Sequence, residues 1–406
     1  MRFLIASLIA LALLACGTAD ASADTSGPTA YAEQADLLLQ RVDALTGDIP
    51  AGKYPIGAAP NGKLYFVPGS DWNSGFWAGA LWRAADLKNT ASASDTALQA
   101  TIDHFGFETT KLHDLGFMYG ESSVAAFEHR CRELSLEQQT CSRLQRSGIT
   151  AAGTLVKLAG TTGQGIIPMS AKQCSDCSRG GTETIVDSMM NLPLLYWASK
   201  QTGSSKFRTL ARRHADWVAK NLERSDGSTY QAGSYKRSAK RPTVRRHTHQ
   251  GKSNSGVWSR GQAWSIYGFA DAAKEFKSRK YLAVAEKNAA YVAKHLPADA
   301  VPKWDYRAGN AAPKDVSAGV ITAAGLFHLV AACSAISGGC ADTQRWDTLA
   351  RRILTGSLAG IRTSAPIGYL GGMAYNLRNK IAWDDDAELT YGLDYALEAI
   401  KLARES

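Results

Sequence analysis

Two aspartates, Asp114 and Asp187, are candidates for acid–base chemistry because each lies in an apolar segment. Asp114 lies between His113 and the sequence LGFM, and Asp187 lies between Val186 and the sequence SMMNLPLL. Two carboxyl groups in hydrophobic surroundings suit the cleavage of a glycosidic bond, since one must hold a proton near neutral pH while the other stays ionised. We therefore predict that both aspartates belong to one catalytic site.

The position of Asp187 leaves a second interpretation open. Pro193 is best tolerated in the first turn of a helix, which predicts a helix that begins near Met189 or Met190, with Asp187 at its entrance. Asp187 would then be an N-cap that accepts hydrogen bonds from backbone N–H groups. Because a helix N-terminus lowers a carboxyl pKa, a general-acid role requires Asp114 or apolar walls to raise that pKa again.

Aromatic and basic side chains crowd the entrances of other apolar segments. Trp72 precedes a helical segment and is a candidate platform for a sugar face, whereas Trp77, inside that segment, is more typical of core. Arg260 lies between Trp258 and Trp264 in a segment apolar enough to be buried, so its guanidinium needs an anion. Either a protein aspartate or a substrate carboxylate bound by bidentate hydrogen bonds meets that need.

Helical periodicity recurs from residue 29 to the C-terminus, and no stretch shows sustained strand alternation. Some segments are amphipathic, whereas others, such as GVITAAGLFHLVAACSAI, are apolar nearly all round and must be buried. This alternation predicts an all-α fold, an (α/α)6 barrel of six helical hairpins with its inner helices buried. A helical solenoid is the alternative, but no repeat of the usual length is found. In the barrel, the loops before the inner helices meet at one mouth.

The composition bounds the kind of partner. The 406 residues are 45% hydrophobic and 20% charged, which excludes a disordered chain and a multi-span membrane protein. A net charge of +9 favours an anionic partner, which can be nucleic acid, a lipid surface or an acidic saccharide, unless the basic surface serves solubility alone. We find no nucleic-acid motif, and ten Trp and fifteen Tyr suit a sugar cleft.

The N-terminus is typical of an exported protein. Residues 1–15, MRFLIASLIALALLA, carry one positive charge before a short apolar run, as secretory signals do. Cys16 follows in LLACG, which resembles a bacterial lipoprotein signal, so we expect cleavage before Cys16 and its lipidation. Residues 16–28 would form a flexible tether and residues 29–406 one catalytic domain. An ordinary signal cleaved near Ala19 or Ala23 is the alternative. We expect a periplasmic or outer-membrane protein that touches the membrane only through its anchor.

The six remaining cysteines fall into local pairs. An oxidising compartment favours disulfides between them: Cys131 with Cys141, Cys174 with Cys177, and Cys333 with Cys340. The CSDC element at 174–177 can instead indicate zinc or redox chemistry, but it has no second CxxC motif.

Together these segments resemble those of the unsaturated glucuronyl hydrolases, glycoside hydrolase family 88, and more distantly the unsaturated rhamnogalacturonyl hydrolases. The resemblance spans residues from about 30 to 403 and rests on DWNSGFWAGALW, HDLGFMYGESS, IVDSMMNLPLLYWAS, THQG, WSRGQAWSIYGF and DVSAGVITAAGL. It implies an α/α barrel, no metal or other cofactor, and a reaction that begins by hydrating the C4=C5 double bond which a polysaccharide lyase leaves at a non-reducing end.

The resemblance also implies roles for single residues. Asp187 corresponds to the general acid and base, and Asp114 to the carboxylate that holds the sugar and stabilises developing positive charge. Six side chains match positions that line the uronate subsite: His113, Trp72, His249, Gln250, Arg260 and Trp264. The expected partner is an oligosaccharide with an unsaturated uronate at its end, and the expected state is a monomer or dimer that binds no nucleic acid.

Two departures from the family leave the substrate open. Gln231 stands after GSTY, where many members carry His, and a basic insert, QAGSYKRSAKRPTVRR, precedes His247. The basic residues at 236–246 would bind sulfate or extra carboxylates on glycosaminoglycan or ulvan fragments, or form a mobile solvated loop.

Three other functions stay open: an unsaturated galacturonyl hydrolase, a lyase or saturated glycosidase on the same barrel, and a non-catalytic carbohydrate-binding lipoprotein. The intact aspartate pair argues against the last.

Overall fold

The computed structural model describes residues 25–132, 136–170, 181–378 and 386–406. Cys16, Cys174 and Cys177 lie outside these residues. Over the described ranges the chain forms twelve α-helices: α1 Ala32–Thr46, α2 Phe76–Lys88, α3 Ala91–Asp103, α4 Leu115–Tyr119, α5 Gln138–Gly160, α6 Leu192–Thr202, α7 Ser205–Asn221, α8 Ser259–Phe276, α9 Arg279–His295, α10 Val316–Ala335, α11 Thr343–Leu358 and α12 Thr390–Glu405. Short 3-10 turns cover Trp72–Gly75 and Val186–Asn191, and π turns cover Gly120–Val124 and Phe127–Cys131.

The even-numbered helices form a closed inner ring. Helix α2 packs on α12, and the ring continues through α10, α8 and α6 to α4, whose following π turn packs on α2 again. Each odd-numbered helix packs outside the ring against an inner neighbour, so the chain makes six hairpins. The predicted (α/α)6 barrel is confirmed, and the solenoid is excluded because the ring closes.

Apolar patterning explains which helices are inside. Nearly every residue of α10 is buried. Among the described residues, α10 is the helix that is long and apolar enough to cross a membrane, but 83% of its most apolar 18-residue stretch is buried inside the protein. It is therefore a core helix. Outer helix α7 instead buries Phe207, Leu210 and Val218 on one face and exposes Arg212 and Arg213 on the other.

One predicted helix start was wrong. Helix α6 begins at Leu192 rather than at Met189 or Met190, because the chain first makes the 3-10 turn Val186–Asn191. Pro193 nevertheless lies in the first turn of α6, where its missing N–H is harmless. At the other end, Gly203 adopts a φ of 68°, a left-handed conformation that glycine adopts without strain and that ends the helix.

The described residues also form eight short antiparallel strands on the barrel, and sequence alternation did not predict them because each has two to five residues. They are β1 Tyr54–Ala58, β2 Leu64–Val67, β3 Gly181–Ile185, β4 Ala232–Lys236, β5 Arg245–His247, β6 Ile361–Arg362, β7 Tyr369–Leu370 and β8 Glu388–Leu389. They form sheets in the orders β2-β1-β8, β3-β4-β5 and β6-β7. The basic insert is therefore a β4–β5 hairpin on β3, with Ile185 of β3 opposite Ala232 and Ala232 opposite His247.

Two of the three predicted disulfides lie within the described residues, and both are formed. Cys131 is bonded to Cys141 across a Cα separation of 5.6 Å, and Cys333 is bonded to Cys340 across 5.0 Å. The first bond ties the π turn Phe127–Cys131 to α5, whose N-terminal turn contains Cys141.

Candidate active site

A cavity of about 340 Å³ opens where the chain segments that lead into the inner helices converge. Segments before α2, α4, α6, α8 and α12 all contribute to its wall: Trp72, Leu112, His113, Asp114, Met169, Ser170, Ile185, Asp187, Gln231, His249, Gln250, Trp258, Tyr375 and Asn376. Six of the eight predicted catalytic and substrate-binding residues are in this set. Arg260 and Trp264 are not.

The two aspartates come from segments 73 positions apart in sequence that are tied to each other. The backbone N–H of Gly116, two residues after Asp114, donates a hydrogen bond of 2.8 Å to Oδ1 of Asn191, which ends the turn that carries Asp187. The amide nitrogen of Asn191 donates to the Ser188 carbonyl oxygen at 3.1 Å, which orients the Asn191 side chain. This pair of bonds holds both carboxyl groups on one wall.

Asp187 is buried, with 8% of its surface exposed. Its Oδ2 atom has no hydrogen-bond partner within the part of the chain that the structure describes. Burial raises the pKa of Asp187 to about 6, against the opposing effects of its own backbone N–H and of the positive charges of Arg260 and His249. Asp187 is not an N-cap, because that position belongs to Ile185 and Asp187 lies in the first turn. A carboxyl group with this pKa can give and take a proton near neutrality.

Asp114 has an even stronger tendency to stay protonated in the free protein. Burial, followed by the negative charges of Asp187 and Asp71, raises the pKa of Asp114 well above its usual range. Two carboxyl groups that repel each other in this way titrate as a pair, so the cavity holds at least one proton at a pH where exposed aspartates hold none. From the sequence we predicted that Asp187 holds this proton. In the free protein, however, Asp114 holds a proton more strongly than Asp187 does.

His113 orients Asp114. Its Nε2 lies 3.2 Å from Oδ2 of Asp114 and its Nδ1 lies 2.9 Å from the Ser188 hydroxyl oxygen. Burial lowers the pKa of His113 to about 3, so the ring is neutral and donates from one nitrogen only. Both contacts are satisfied when Nε2–H donates to Asp114 and the Ser188 hydroxyl donates to Nδ1. His113 thereby links the Asp114 and Asp187 segments a second time.

The aromatic residues divide between wall and core. Trp72 is partly exposed in the cavity and stacks on Tyr375, with ring centroids 6.4 Å apart and planes 17° apart. Trp77 is core, in agreement with its helical spacing. Trp264 is only 1% exposed and packs against Phe117 at 5.0 Å. The expected contact between Trp264 and the sugar is therefore not available here, because Trp264 lies behind the residues that form the wall.

Both terminal nitrogens of the Arg260 guanidinium donate hydrogen bonds to protein groups. It donates hydrogen bonds to Oδ2 of Asp315 at 2.9 Å, to the Ala374 carbonyl oxygen at 2.8 Å and to the Tyr375 carbonyl oxygen at 2.7 Å. Asp315 is thus the anion that pairs with Arg260 in this structure. Since the cavity wall includes Tyr375 and Asn376, Arg260 positions that wall rather than lining it.

Gln231 organises the His249 side of the cavity. Its Oε1 accepts hydrogen bonds from the Thr248 hydroxyl at 2.6 Å and from the backbone N–H groups of His249 and Gln250 at 2.8 and 3.0 Å. Its Nε2 donates to Oε1 of Gln250 at 2.8 Å. The sequence noted Gln231 only as a departure from the family. Tyr375 and Asn376 were missed altogether, because no pattern distinguishes them from an ordinary loop.

The chain is similar to known proteins over most of its length. No protein-family model matches the chain. The unsaturated glucuronyl hydrolase of Bacillus sp. (strain GL1) is 29% identical over 362 residues, which cover 86% of this chain and 90% of that protein. The unsaturated glucuronyl hydrolase of Formosa agariphila is 30% identical over 297 residues, which cover 68% of this chain and 69% of that protein. The chain belongs to the unsaturated glucuronyl hydrolase family.

The solved structures support the same assignment. The crystal structure of an unsaturated glucuronyl hydrolase specific for heparin matches with a TM-score of 0.78 and 26% identity, covering 92% of this chain and 96% of that chain. Membership of the unsaturated glucuronyl hydrolases makes this chain a glycosidase and confirms the resemblance inferred from its motifs.

Proposed function

We propose that this glycosidase removes a 4,5-unsaturated uronic acid from the non-reducing end of an oligosaccharide that a polysaccharide lyase has produced. The observation that carries the proposal is the pair Asp114 and Asp187, which share one cavity and there retain a proton above the usual titration range of carboxyl groups. Burying two carboxyl groups close together destabilises the fold. A non-catalytic binding protein would gain nothing from this arrangement.

The chemistry follows from the enol ether of such a substrate. Asp187 donates its proton to C4, the electron pair of the C4=C5 bond forms the new C4–H bond, and positive charge develops at C5 and the ring oxygen. Water then attacks C5 while Asp187 accepts the proton that the water loses, so the carboxyl group is regenerated. The product is a hemiketal at C5, whose ring opens to a ketone at C5 and a hemiacetal at C1. The hemiacetal then becomes an aldehyde and releases the remaining saccharide as an alcohol. Asp114, when ionised, stabilises the positive charge.

The mechanism requires the shared proton to reside on Asp187 once substrate is bound. Sugar hydroxyl groups that donate hydrogen bonds to Asp114 favour its ionised form and lower its pKa. The negative charge then belongs to Asp114 and the proton to Asp187. Substrate binding thus converts the free protein, in which Asp114 holds the proton more strongly, into the reactive protonation state.

Specificity would depend on the sugar that leaves. A C4=C5 double bond removes the stereocentres at C4 and C5, so glucuronate and galacturonate units give the same unsaturated residue. The subsite around Trp72, Gln231 and Gln250 would therefore accept both, and residues farther out would select the linkage and the next sugar. For this reason an unsaturated galacturonyl hydrolase is the second candidate, and Gln231, in place of the more usual His, is the observation that keeps it open.

The basic hairpin favours an acidic parent polysaccharide. Cavity residue Gln231 directly precedes β4 and cavity residue His249 follows the end of β5 by two positions. The exposed side chains toward the tip of the hairpin include Lys236, Lys240 and Arg241. Such a surface attracts sulfate or further carboxylates on the saccharide beyond the uronate. We therefore expect glycosaminoglycan or ulvan fragments to be better substrates than fragments whose other sugars are neutral. This difference in rate should become smaller as salt is added.

The deciding experiment follows the loss of ultraviolet absorbance when the conjugated double bond of an unsaturated disaccharide is hydrated. Lyase digests of chondroitin, heparin, hyaluronan, ulvan, gellan and pectin serve as substrates. Asp187→Asn should lower kcat at least about 100-fold, the scale on which general acids contribute. The matched control Asp36→Asn, on the exposed face of α1, should keep full activity. An Asp187→Asn protein that hydrates any of these substrates at the native rate would refute the mechanism.

The N-terminal segment supports a proposal about location. The apolar run before Cys16 and the polar segment after it are typical of an exported lipoprotein, and Gly17 resembles a signal for transport to the outer membrane. We expect radiolabelled fatty acid to be incorporated into the native protein and not into Cys16→Ser. Equal labelling of both proteins would remove the lipoprotein assignment.

A further inference from the structure

Glu183, His247 and His249 form a compact cluster beside the cavity. Nε2 of His247 lies 2.8 Å from Oε2 of Glu183, and Nε2 of His249 lies 2.9 Å from the same oxygen. One nitrogen or oxygen atom from each residue lies within 4.8 Å of the other two. The sheet brings them together, since Glu183 is on β3 and His247 ends β5, two strands away across β4.

Two imidazole nitrogens and one carboxylate oxygen form a well-known type of zinc ligand set. Metal–ligand bonds of about 2.0–2.1 Å in a tetrahedral site place neighbouring ligand atoms roughly 3.3 Å apart. The contacts of 2.8 and 2.9 Å need to lengthen by only about half an ångström to reach that spacing. Nitrogen donors favour zinc, nickel, cobalt and copper over calcium and magnesium, which prefer oxygen.

The surroundings of the cluster suit a metal as well. Nδ1 of His247 lies 3.3 Å from the Arg245 carbonyl oxygen, which can accept the Nδ1–H and so leave the Nε2 lone pair for an ion. Glu183 is 3% exposed; burial raises its pKa, but hydrogen bonds from His247 and His249 more than offset this and bring the pKa down to about 2. The buried carboxylate is thus ionised at neutral pH and ready to bind a cation.

We propose that Glu183, His247 and His249 bind one divalent transition-metal ion of the zinc class, with water at the fourth position. In this assignment the ion takes the place of the two hydrogen bonds that now join the imidazoles to Glu183. The site is distinct from the aspartate pair but shares His249 with the cavity wall.

The position of His249 couples this metal site to catalysis, a step that rests on the proposed function. His249 lines the cavity, and its positive charge already acts to lower the pKa of Asp187. A doubly charged ion on the same ring carries more charge than the imidazolium that it replaces, so it depletes the protonated form of Asp187, which is the general acid. Zinc therefore slows turnover at neutral pH.

Binding is tested on the full chain without an affinity tag. Calorimetric titration with Zn²⁺ at pH 7.5 should show one site per chain, and Co²⁺ should give the visible absorption of a tetrahedral nitrogen and oxygen site. His247→Gln, a residue outside the cavity wall, should weaken both at least tenfold. The matched control His295→Gln, on α9, should bind as the native protein does. Equal affinity of His247→Gln and native protein, or tight binding of Ca²⁺ and Mg²⁺, would overturn the proposal.

Coupling is tested by comparing each protein with its own metal-free rate. Zinc should reduce the native rate severalfold at concentrations that fill the site, while the rate of His247→Gln should not respond over the same range. Full occupancy by calorimetry with an unchanged native rate would overturn the coupling and leave the metal site standing. Because calorimetry needs no substrate, the site remains testable even if the proposed hydration activity is not found.

Discussion

A side-chain carbon on Gly116 would lie 2.5 Å from the carbonyl oxygen of Met190. Helix α4 and the turn that carries Asp187 therefore touch backbone to backbone, and only glycine permits this approach. The contact, together with the hydrogen bond from Gly116 to Asn191, sets the separation of the two aspartates.

Gly116→Ala should separate these segments. We expect the free energy of unfolding to fall by about 1–3 kcal/mol, as overpacked cores show, and kcat to fall at least about tenfold because the carboxyl pair loses its geometry. Chemical denaturation and the absorbance assay measure the two effects. The control is Gly153→Ala, on α5, where an added carbon meets nothing within 4 Å. An active, fully stable Gly116→Ala protein would show that the approach is not needed.

Asp187→Asn should stabilise the fold at high pH. The pKa of Asp187 is raised from 3.8 to about 6, so its ionisation opposes folding; the penalty is absent below about pH 4 and complete above about pH 6. Because asparagine cannot ionise, the free energy of unfolding of Asp187→Asn should exceed that of the native protein by an amount on the order of 3 kcal/mol at pH 8. The difference should vanish at pH 4. Thermal unfolding across that range checks the sign. A gain that is independent of pH would contradict the assigned pKa.

The rate should fall as the pH rises. General-acid catalysis requires protonated Asp187, whose pKa is about 6 in the free protein, so kcat/KM should decline about tenfold per pH unit above the apparent pKa of the aspartate pair. Steady-state rates from pH 4 to 9 with substrate below KM give the profile. A rate that rises through pH 6 to 8 would indicate a base in the first step instead.

Arg260→Ala should destabilise the protein more than an ordinary truncation. The substitution leaves Asp315 buried without its cation and frees the carbonyl groups of Ala374 and Tyr375, so we expect a loss of about 3–5 kcal/mol in unfolding free energy. The exposed Arg352→Ala on α11 is the control. If Arg260→Ala were as stable as the control and only KM rose, the guanidinium would belong to the substrate.

Gln231→Ala should weaken substrate binding. Without the amide oxygen, Thr248 and the backbone N–H groups of His249 and Gln250 lose a shared acceptor, and the loop that presents them loosens. We expect KM to rise about five- to tenfold and kcat to change less, the pattern of lost ground-state binding. Gln99→Ala, exposed on α3, controls for the substitution itself. Unchanged KM would make Gln231 dispensable.

Much of this arrangement could be predicted from residue order alone. The alternation of helices buried all round with amphipathic ones required a double ring, because a helix such as α10 has no polar face to show to water. Polar residues just before the buried segments then had to meet at one mouth. For this reason Trp72, His113, Asp114, Asp187, His249 and Gln250 were all correctly placed in one cavity.

The amino-acid sequence alone determined which segments are buried and which carboxyl groups lie beside them. The reason is that burial depends on residue type and on the spacing at which apolar residues recur along a helix. Tertiary packing decided the rest, because it depends on atoms distant in sequence. Asp315 is the anion that pairs with Arg260, and Trp264 lies behind the cavity wall. Strands too short to show a pattern brought Glu183 to His247 and His249, whose separation of more than sixty positions conceals the cluster from any local motif.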